Sequence, residues 1–296
     1  MDRRTFVKVA SGAGAAMALG SVACARAAAS NDSTIGAGTV NGSFPISDVG
    51  LQLYSVRTLM NKSVEGTLQA LSNAGYTLAE TAGLYNMKPA ELRTLLDRYG
   101  IRTTSGHYPL AMAEANPDEL WATAQALGQE YVVIPYLDAP QRDTRDKYVA
   151  LADRFNRLGE KARTAGLKLA YHNHNFEFET MGGTTPMLDI LIERTDPALV
   201  AFEVDTYWVN KAGVDPVAFV DRHRARIQMI HVKDSSPAPE KKMMDVGQGV
   251  IDYATMFARA RGGPLRYAFV EHDEPAEPLA SVTRSHAYLA KLLAAR

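Results

Sequence analysis

From Val49 onward the chain alternates short runs rich in β-branched and apolar residues with longer stretches in which apolar residues recur every three or four positions. The pattern predicts strands at 49–54, 77–82, 102–107, 131–134, 167–172, 200–205, 227–232 and 267–271. Several of these runs are almost continuously apolar, as parallel strands covered on both faces must be. Helical stripes lie between them. Leu68, Leu71 and Ala74 lead to Gly75, Leu151, Phe155, Leu158 and Ala162 lead to Gly166, and Leu188, Leu191 and Ile192 lead to Asp196-Pro197. A final stripe carries Tyr288, Leu289, Leu292 and Leu293. Asn116-Pro117-Asp118-Glu119 reads as a helix start: a cap, a proline in the first turn, and two acids at the positive end of the helix dipole.

Strands separated by helices at this rhythm imply parallel β-α-β crossovers. Eight such units in about 250 residues match a closed (β/α)8 TIM barrel of the α/β class. A doubly wound open sheet is the alternative, but no G-x-G-x-x-G follows the first strand. The reading is one barrel domain over residues 46–296.

The rhythm is absent before that point. Arg3-Arg4-Thr5-Phe6-Val7-Lys8 is a twin-arginine pattern, followed by an Ala- and Gly-rich run from Val9 to Ala25 and a small-residue cleavage site at Ala25-Arg26-Ala27. Residues 1–29 therefore read as a signal for the twin-arginine export machinery, which implies a periplasmic protein. The run is too short and too poor in Leu and Ile to give a stable membrane span. Val22-Ala23-Cys24 is similar to a lipoprotein box but has Ser21 where Leu is usual, so lipid anchoring at Cys24 is the lesser reading. Residues 30–45, polar and glycine-rich, read as a flexible linker.

Composition narrows the function classes. Cys24 is the single cysteine of 296 residues, which excludes a disulfide framework and a cysteine zinc site. Lys+Arg 32 against Asp+Glu 33 gives a net charge of −1, and removing residues 1–29 leaves 28 against 32, or −4. Nucleic acid as a partner calls for a basic surplus and is excluded on that ground. Assembly into a homo-oligomer is left open.

A barrel carries its chemistry at the C-terminal ends of its strands. Here those ends read Ser105-Gly106-His107, Tyr171-His172-Asn173-His174 followed by Phe176-Glu177, Glu203-Val204-Asp205, His231-Val232-Lys233-Asp234 and Glu271-His272-Asp273. Side chains alternate across a strand, so His172 shares a face with His174, Glu203 with Asp205, and His231 with Lys233. Imidazole and carboxylate donors without thiolates suit one divalent ion of Mn, Co, Zn, Fe or Mg. Trp208, and among the other aromatics Tyr54, Tyr85, Tyr108 and Tyr136, lie near predicted strand ends, where Trp208 is the candidate for stacking on a sugar. Gln52 is placed to hydrogen-bond a sugar hydroxyl. Gly247-Gln248-Gly249 reads as a loop approaching the ligand or as a plain turn.

In order along the chain, Gly50-Leu51-Gln52-Leu53-Tyr54-Ser55-Val56-Arg57, His172-Asn173-His174, Asp205-Thr206-Tyr207-Trp208, His231-Val232-Lys233-Asp234 and Gly247-Gln248-Gly249-Val250-Ile251-Asp252-Tyr253 resemble the sugar phosphate isomerase/epimerase family. That family belongs to the xylose isomerase-like barrel superfamily, and the resemblance covers residues 48–294. It implies one divalent metal on Glu, Asp, His and Glu from the last four strands. The last three fall on Asp205, His231 and Glu271. The first falls on His172, a histidine where the family has glutamate. That departure weakens an epimerisation run by two opposed carboxylates, and Glu177, Glu203 or His174 is placed to supply the missing ligand, base or substrate contact.

The chemistry so implied is proton abstraction beside a carbonyl through an enediolate, with Glu271 as base and His172, His107 or Lys233 as acid or second base. The expected activity is a metal-dependent isomerase or epimerase on a ketose or keto-sugar. The alternative is a lyase or hydratase that eliminates a β-substituent, for example from a 3-keto-glycoside. A non-catalytic sugar-binding barrel is the reading from outside enzymology.

Overall fold

The computed structural model describes residues 44–295, so the export signal, Cys24 and nearly all of the 30–45 linker lie outside the described residues. Strands run in the order β1 (Gly50–Gln52), β2 (Leu78–Thr81), β3 (Arg102–His107), β4 (Tyr131–Ile134), β5 (Lys168–His172), β6 (Val200–Asp205), β7 (Ile227–Val232), β8 (Asp234–Ser235), β9 (Met243–Met244) and β10 (Tyr267–Val270). All but β8 and β9 close a barrel in the order β1-β10-β7-β6-β5-β4-β3-β2. Each barrel pairing is parallel. The expected barrel is thus present, with one addition: β8 and β9 form a small antiparallel ribbon in the loop after β7.

Helices supply the outer layer where the apolar stripes called for them. Arg145–Thr164 buries Leu151, Phe155, Leu158 and Ala162, and the chain turns at Gly166 with φ +73°. Pro117–Leu127 begins at the expected Pro117 and ends on Gly128 in the left-handed region. Asn116 precedes it, but its side chain makes no capping bond. Strand β1 is shorter than predicted because Gln52 Oε1 accepts the Tyr54 N–H at 3.0 Å and starts a 3-10 turn over Leu53–Val56.

Alternation along the strands divides the apolar residues between two cores. Leu169, Tyr171, Val200, Phe202, Val204, Ile230, Val232, Ala268 and Val270 face the helices. Leu78, Tyr131, Val133, Ala170, Ala201, Met229, Tyr267 and Phe269 fill the barrel itself. Gly50 makes room for this inner packing, since a Cβ there would stand 2.6 Å from Phe269 Cδ1. The inward series then changes character toward the C-terminal ends of the strands. Two residues on from Leu78, Ala170, Ala201, Met229 and Phe269 come Glu80, His172, Glu203, His231 and Glu271. An apolar plug therefore supports a polar layer, and the period of two alone carries each ionisable group to the mouth.

Candidate active site at the barrel mouth

The polar layer contains two carboxylate groupings that share two imidazoles. Toward the mouth, His231 Nδ1 lies 2.7 Å from Glu271 Oε2, and His172 Nε2 lies 3.7 Å from Asp205 Oδ2. Deeper, His231 Nε2 meets Glu80 Oε2 at 2.6 Å and Glu203 Oε2 at 3.1 Å, while His172 Nδ1 meets Glu203 Oε2 at 3.1 Å. His107 Nε2 joins the deeper group, 2.9 Å from Glu203 Oε2 and 3.1 Å from Glu80 Oε2. Its ring stacks on that of His231 with centroids 5.3 Å apart. Lys233 Nζ reaches Asp205 Oδ2 at 2.8 Å, Glu271 Oε2 at 2.7 Å and Asp273 Oδ1 at 2.8 Å.

Local structure fixes these positions. Asp205 ends β6 and caps the following helix, its Oδ1 accepting the Trp208 N–H, so Oδ2 is left facing the cluster. Asn173 Oδ1 accepts the Asp205 N–H at 3.1 Å, which gives the middle residue of His-Asn-His a structural role.

Burial and charge set the protonation states in opposite directions. Burial alone would lower His107, but the charges of Glu80 and Glu203 overcome it and hold the imidazole up at about 9. His231 is likewise raised against its burial by Glu203, Glu271 and Glu80. His172 is pushed well down by burial and by the neighbouring cations, and burial with Lys233 takes His174 to about 3. Glu271 stays below the usual carboxylate range because Lys233 and His231 outweigh its burial, and Glu80 does so through His107 and His231. Burial lifts Asp205 to about 6 against the pull of Lys233. At neutral pH the mouth thus pairs an ionised Glu271 with a protonated His107, beside neutral His172 and His174.

A cavity of about 500 Å³ opens onto this layer, lined among others by Tyr54, His107, Tyr136, His172, His174, Lys233, Glu271 and Asp273. Tyr54 and Tyr136, 41% and 46% exposed, are the aromatic walls. Tyr108 is buried, with its hydroxyl on Gln129, and Trp208 stands behind His174 at a ring distance of 5.3 Å. Trp208, expected to stack on a sugar, thus does not line the cavity, and neither do three other residues expected to touch substrate. Gln52 donates to Glu80 Oε2 at 2.8 Å beneath the layer. Glu203 is fully buried among the histidines. Glu177 faces away from the cavity, accepting the Tyr171 hydroxyl and the His174 N–H, and burial lifts it to about 7. The glycine loop wraps Asp234, whose carboxylate accepts the N–H groups of Gly247, Gly249 and Ile251. A Cβ at Gly249 would stand 2.2 Å from Asp234 Oδ1, so that glycine serves a close approach to protein, and the loop does not line the cavity.

Glu80 was missed in the sequence. It is the last inward residue of β2, two positions after Leu78, and that parity was the available signal.

His172, Asp205, His231 and Glu271 offer one donor atom each within 4.8 Å of one another, as do His107, His172, Glu203 and His231. The former set offers two nitrogens and two carboxylate oxygens, a donor set whose chemistry suits a divalent cation.

A family model described as the xylose isomerase-like TIM barrel matches residues 68–281. The chain belongs to the xylose isomerase-like TIM barrel family. It is 28% identical over 230 residues to an inosose dehydratase of Geobacillus kaustophilus, covering 65% of this chain and 74% of that one. A sugar phosphate isomerase/epimerase of Parabacteroides distasonis superposes with a TM-score of 0.70 and 25% identity over 86% of this chain and 98% of that chain. The IOLI protein, solved with a zinc atom bound, shares the fold at a TM-score of 0.66 and 16% identity, over 84% of this chain and 98% of that chain. Within this xylose isomerase-like barrel, no described helix is long and apolar enough to cross a membrane.

Proposed function

We propose that this barrel is a metal-dependent lyase of the dehydratase type, acting on a keto-sugar or keto-polyol. The observation that carries the proposal is geometric: a carboxylate, Glu271, and an imidazole, His107, line one cavity, Glu271 held at the edge of the His231 ring at 2.7 Å and His107 stacked on its face at 5.3 Å. A proton beside a carbonyl is removed by Glu271, whose Oε2 is engaged by His231 and Lys233, leaving Oε1 to accept it. The electron pair forms a double bond conjugated with the carbonyl as the β-oxygen substituent departs, and His107 protonates that oxygen. A divalent cation held by His172, Asp205, His231 and Glu271 would polarise the carbonyl and stabilise the charge that develops on its oxygen. Lys233 and His174 line the cavity where substrate hydroxyls would lie, with Tyr54 and Tyr136 against the ring faces. The relatives named as inosose dehydratases support elimination.

The isomerase or epimerase reading keeps one specific support. His172 lines the same cavity as a neutral imidazole and is able to return a proton to the carbon that Glu271 deprotonates. Incubating the metal-loaded protein with keto-sugars and a keto-inositol in D2O separates the two. Elimination releases water or a free fragment and creates a chromophoric enone. Isomerisation gives a deuterated isomer of unchanged mass apart from the label. Turnover of neither kind, with metal bound, would leave a sugar-binding barrel. Export belongs to the same proposal: fractionation of cells carrying the full chain is expected to place it in the periplasm, and R3K/R4K is expected to hold it in the cytoplasm.

A further inference from the structure

The two deep glutamates have no role in the chemistry above, yet each commits a single oxygen to the imidazoles. Glu203 Oε2 stands 2.9 to 3.1 Å from nitrogens of His107, His172 and His231. Glu80 Oε2 receives Gln52 Nε2 at 2.8 Å, His231 Nε2 at 2.6 Å and His107 Nε2 at 3.1 Å. Both are fully buried. A second, independent feature marks the same two positions. The register of β2 with β3 shifts between Ala79 and Glu80, and that of β6 with β7 shifts between Phe202 and Glu203. The extra residue lies on the partner strand in each case, Thr104 of β3 and Gln228 of β7, and brings Ser105 and Met229 level with the two deep carboxylates.

We infer that Glu80 and Glu203 are positioning residues that fix the tautomers of the two ligand imidazoles. An ionised carboxylate accepts hydrogen bonds and does not donate them, so an imidazole nitrogen facing one carries its hydrogen. Without a cation both nitrogens of His231 face carboxylates and both carry hydrogen; a cation that takes Glu271 would displace the hydrogen on Nδ1, while Glu80 and Glu203 keep the one on Nε2. His172 is N–H at Nδ1, toward Glu203, which leaves Nε2 turned toward Asp205. The two rings are held in opposite senses, so that a cation at the mouth would meet Nδ1 of His231 and Nε2 of His172. This also accounts for histidine at 172: Glu203, two residues before Asp205 on the same face of β6, supplies the carboxylate that orients it. Carboxylates placed behind ligand imidazoles raise metal affinity by about 10- to 100-fold.

The inference rests on the proposal that His172, Asp205, His231 and Glu271 hold the cation. The competing arrangement places the ion among His107, His172, Glu203 and His231, which also lie within 4.8 Å of one another but include no carboxylate that lines the cavity. Long-range 1H–15N spectra of 15N-histidine-labelled, zinc-loaded protein decide between them. The expected result is a hydrogen on His231 Nε2 and on His172 Nδ1, with zinc-shifted resonances for His231 Nδ1 and His172 Nε2. Reversed tautomers would overturn the inference by putting the ion in the deep set. Zinc affinity by chelator competition forms the second arm. E80Q and E203Q are expected to bind zinc about tenfold more weakly, and E80A and E203A about 100-fold, because the glutamine oxygen still accepts the N–H. Affinities equal to wild type would also overturn it. Failure of the wild-type protein to take up zinc would instead remove the metal proposal itself, and the positioning role with it.

Discussion

Lys233→Met tests how the mouth is held together when no cation is bound. The ammonium is 2% exposed and contacts Asp205, Glu271 and Asp273 within 2.8 Å. At an effective dielectric of about 20, each of the two buried contacts is worth roughly 6 kcal/mol of attraction, most of it offset by the desolvation of three charges. Removing one partner cancels the attraction and leaves the desolvation. Losses of about 3–5 kcal/mol are typical of a broken buried pair. Asp205 and Glu271 then face each other with no cation between them. For a domain of this size about 2–4 °C accompanies each kcal/mol, so the melting temperature of chelated protein is expected to fall by roughly 6–20 °C. Metal should reverse much of the loss. In the wild type an incoming cation shares Asp205 and Glu271 with the ammonium, whereas in the variant it does not compete. The rise in melting temperature on adding zinc or manganese is therefore expected to be larger in the variant. Calorimetric scans of both proteins, chelated and metal-loaded, provide the four values required. A chelated variant as stable as wild type, or a smaller metal-induced rise, would refute the reasoning.

Three further outcomes follow from other residues. Asp205→Asn is expected to lower metal content by elemental analysis to a small fraction of an equivalent and to reduce turnover at least about 100-fold, since one charged donor is lost from the set of four. Glu177 is lifted by burial from 4.5 to about 7, so its folded form binds the proton more tightly than its unfolded form, and stability falls as pH rises between those values. Its share of the loss amounts to about 3 kcal/mol above pH 7, and Glu177→Gln is expected to shrink the difference between urea stabilities measured at pH 5 and pH 8 by about that amount. Gly249→Ala drives a Cβ to 2.2 Å from Asp234 Oδ1 and is expected to cost at least about 2 kcal/mol, read as a fall in the urea midpoint at unchanged slope.

The legible part of the fold was the part governed by periodicity. Parallel strands covered on both faces announce themselves as apolar runs. The family resemblance, not the period, singled out His172, Asp205, His231 and Glu271 as a set; the period of two put His172 with His174, Glu203 with Asp205 and His231 with Lys233 on common faces. The same rule applied to β2 would have reached Glu80, but attention to the last residues of each strand passed over a carboxylate lying before Thr81 and Ala82. Depth was not legible. Glu203 and Asp205 share a face, yet one is buried beneath the histidines and the other caps a helix at the mouth. Nor was the destination of residues beyond a strand, where alternation ends. Glu177 turns back onto Tyr171 and the His174 N–H, and the glycine loop closes on Asp234, because local hydrogen bonds decide direction there. The aromatic residues beyond the strands divide for the same reason: Tyr54, in the 3-10 turn, and Tyr136, after β4, line the cavity, while Tyr108 turns to Gln129.

The central claim is that four side chains remote in sequence hold one cation at the C-terminal rim of the barrel. Anomalous diffraction from crystals grown with zinc, recorded on both sides of its absorption edge, tests it most directly. The account requires one strong peak bounded by His172, Asp205, His231 and Glu271 and open to the cavity between Tyr54 and Tyr136. A peak among Glu80, Glu203 and His107, or no peak in the barrel at full zinc occupancy elsewhere, would contradict it.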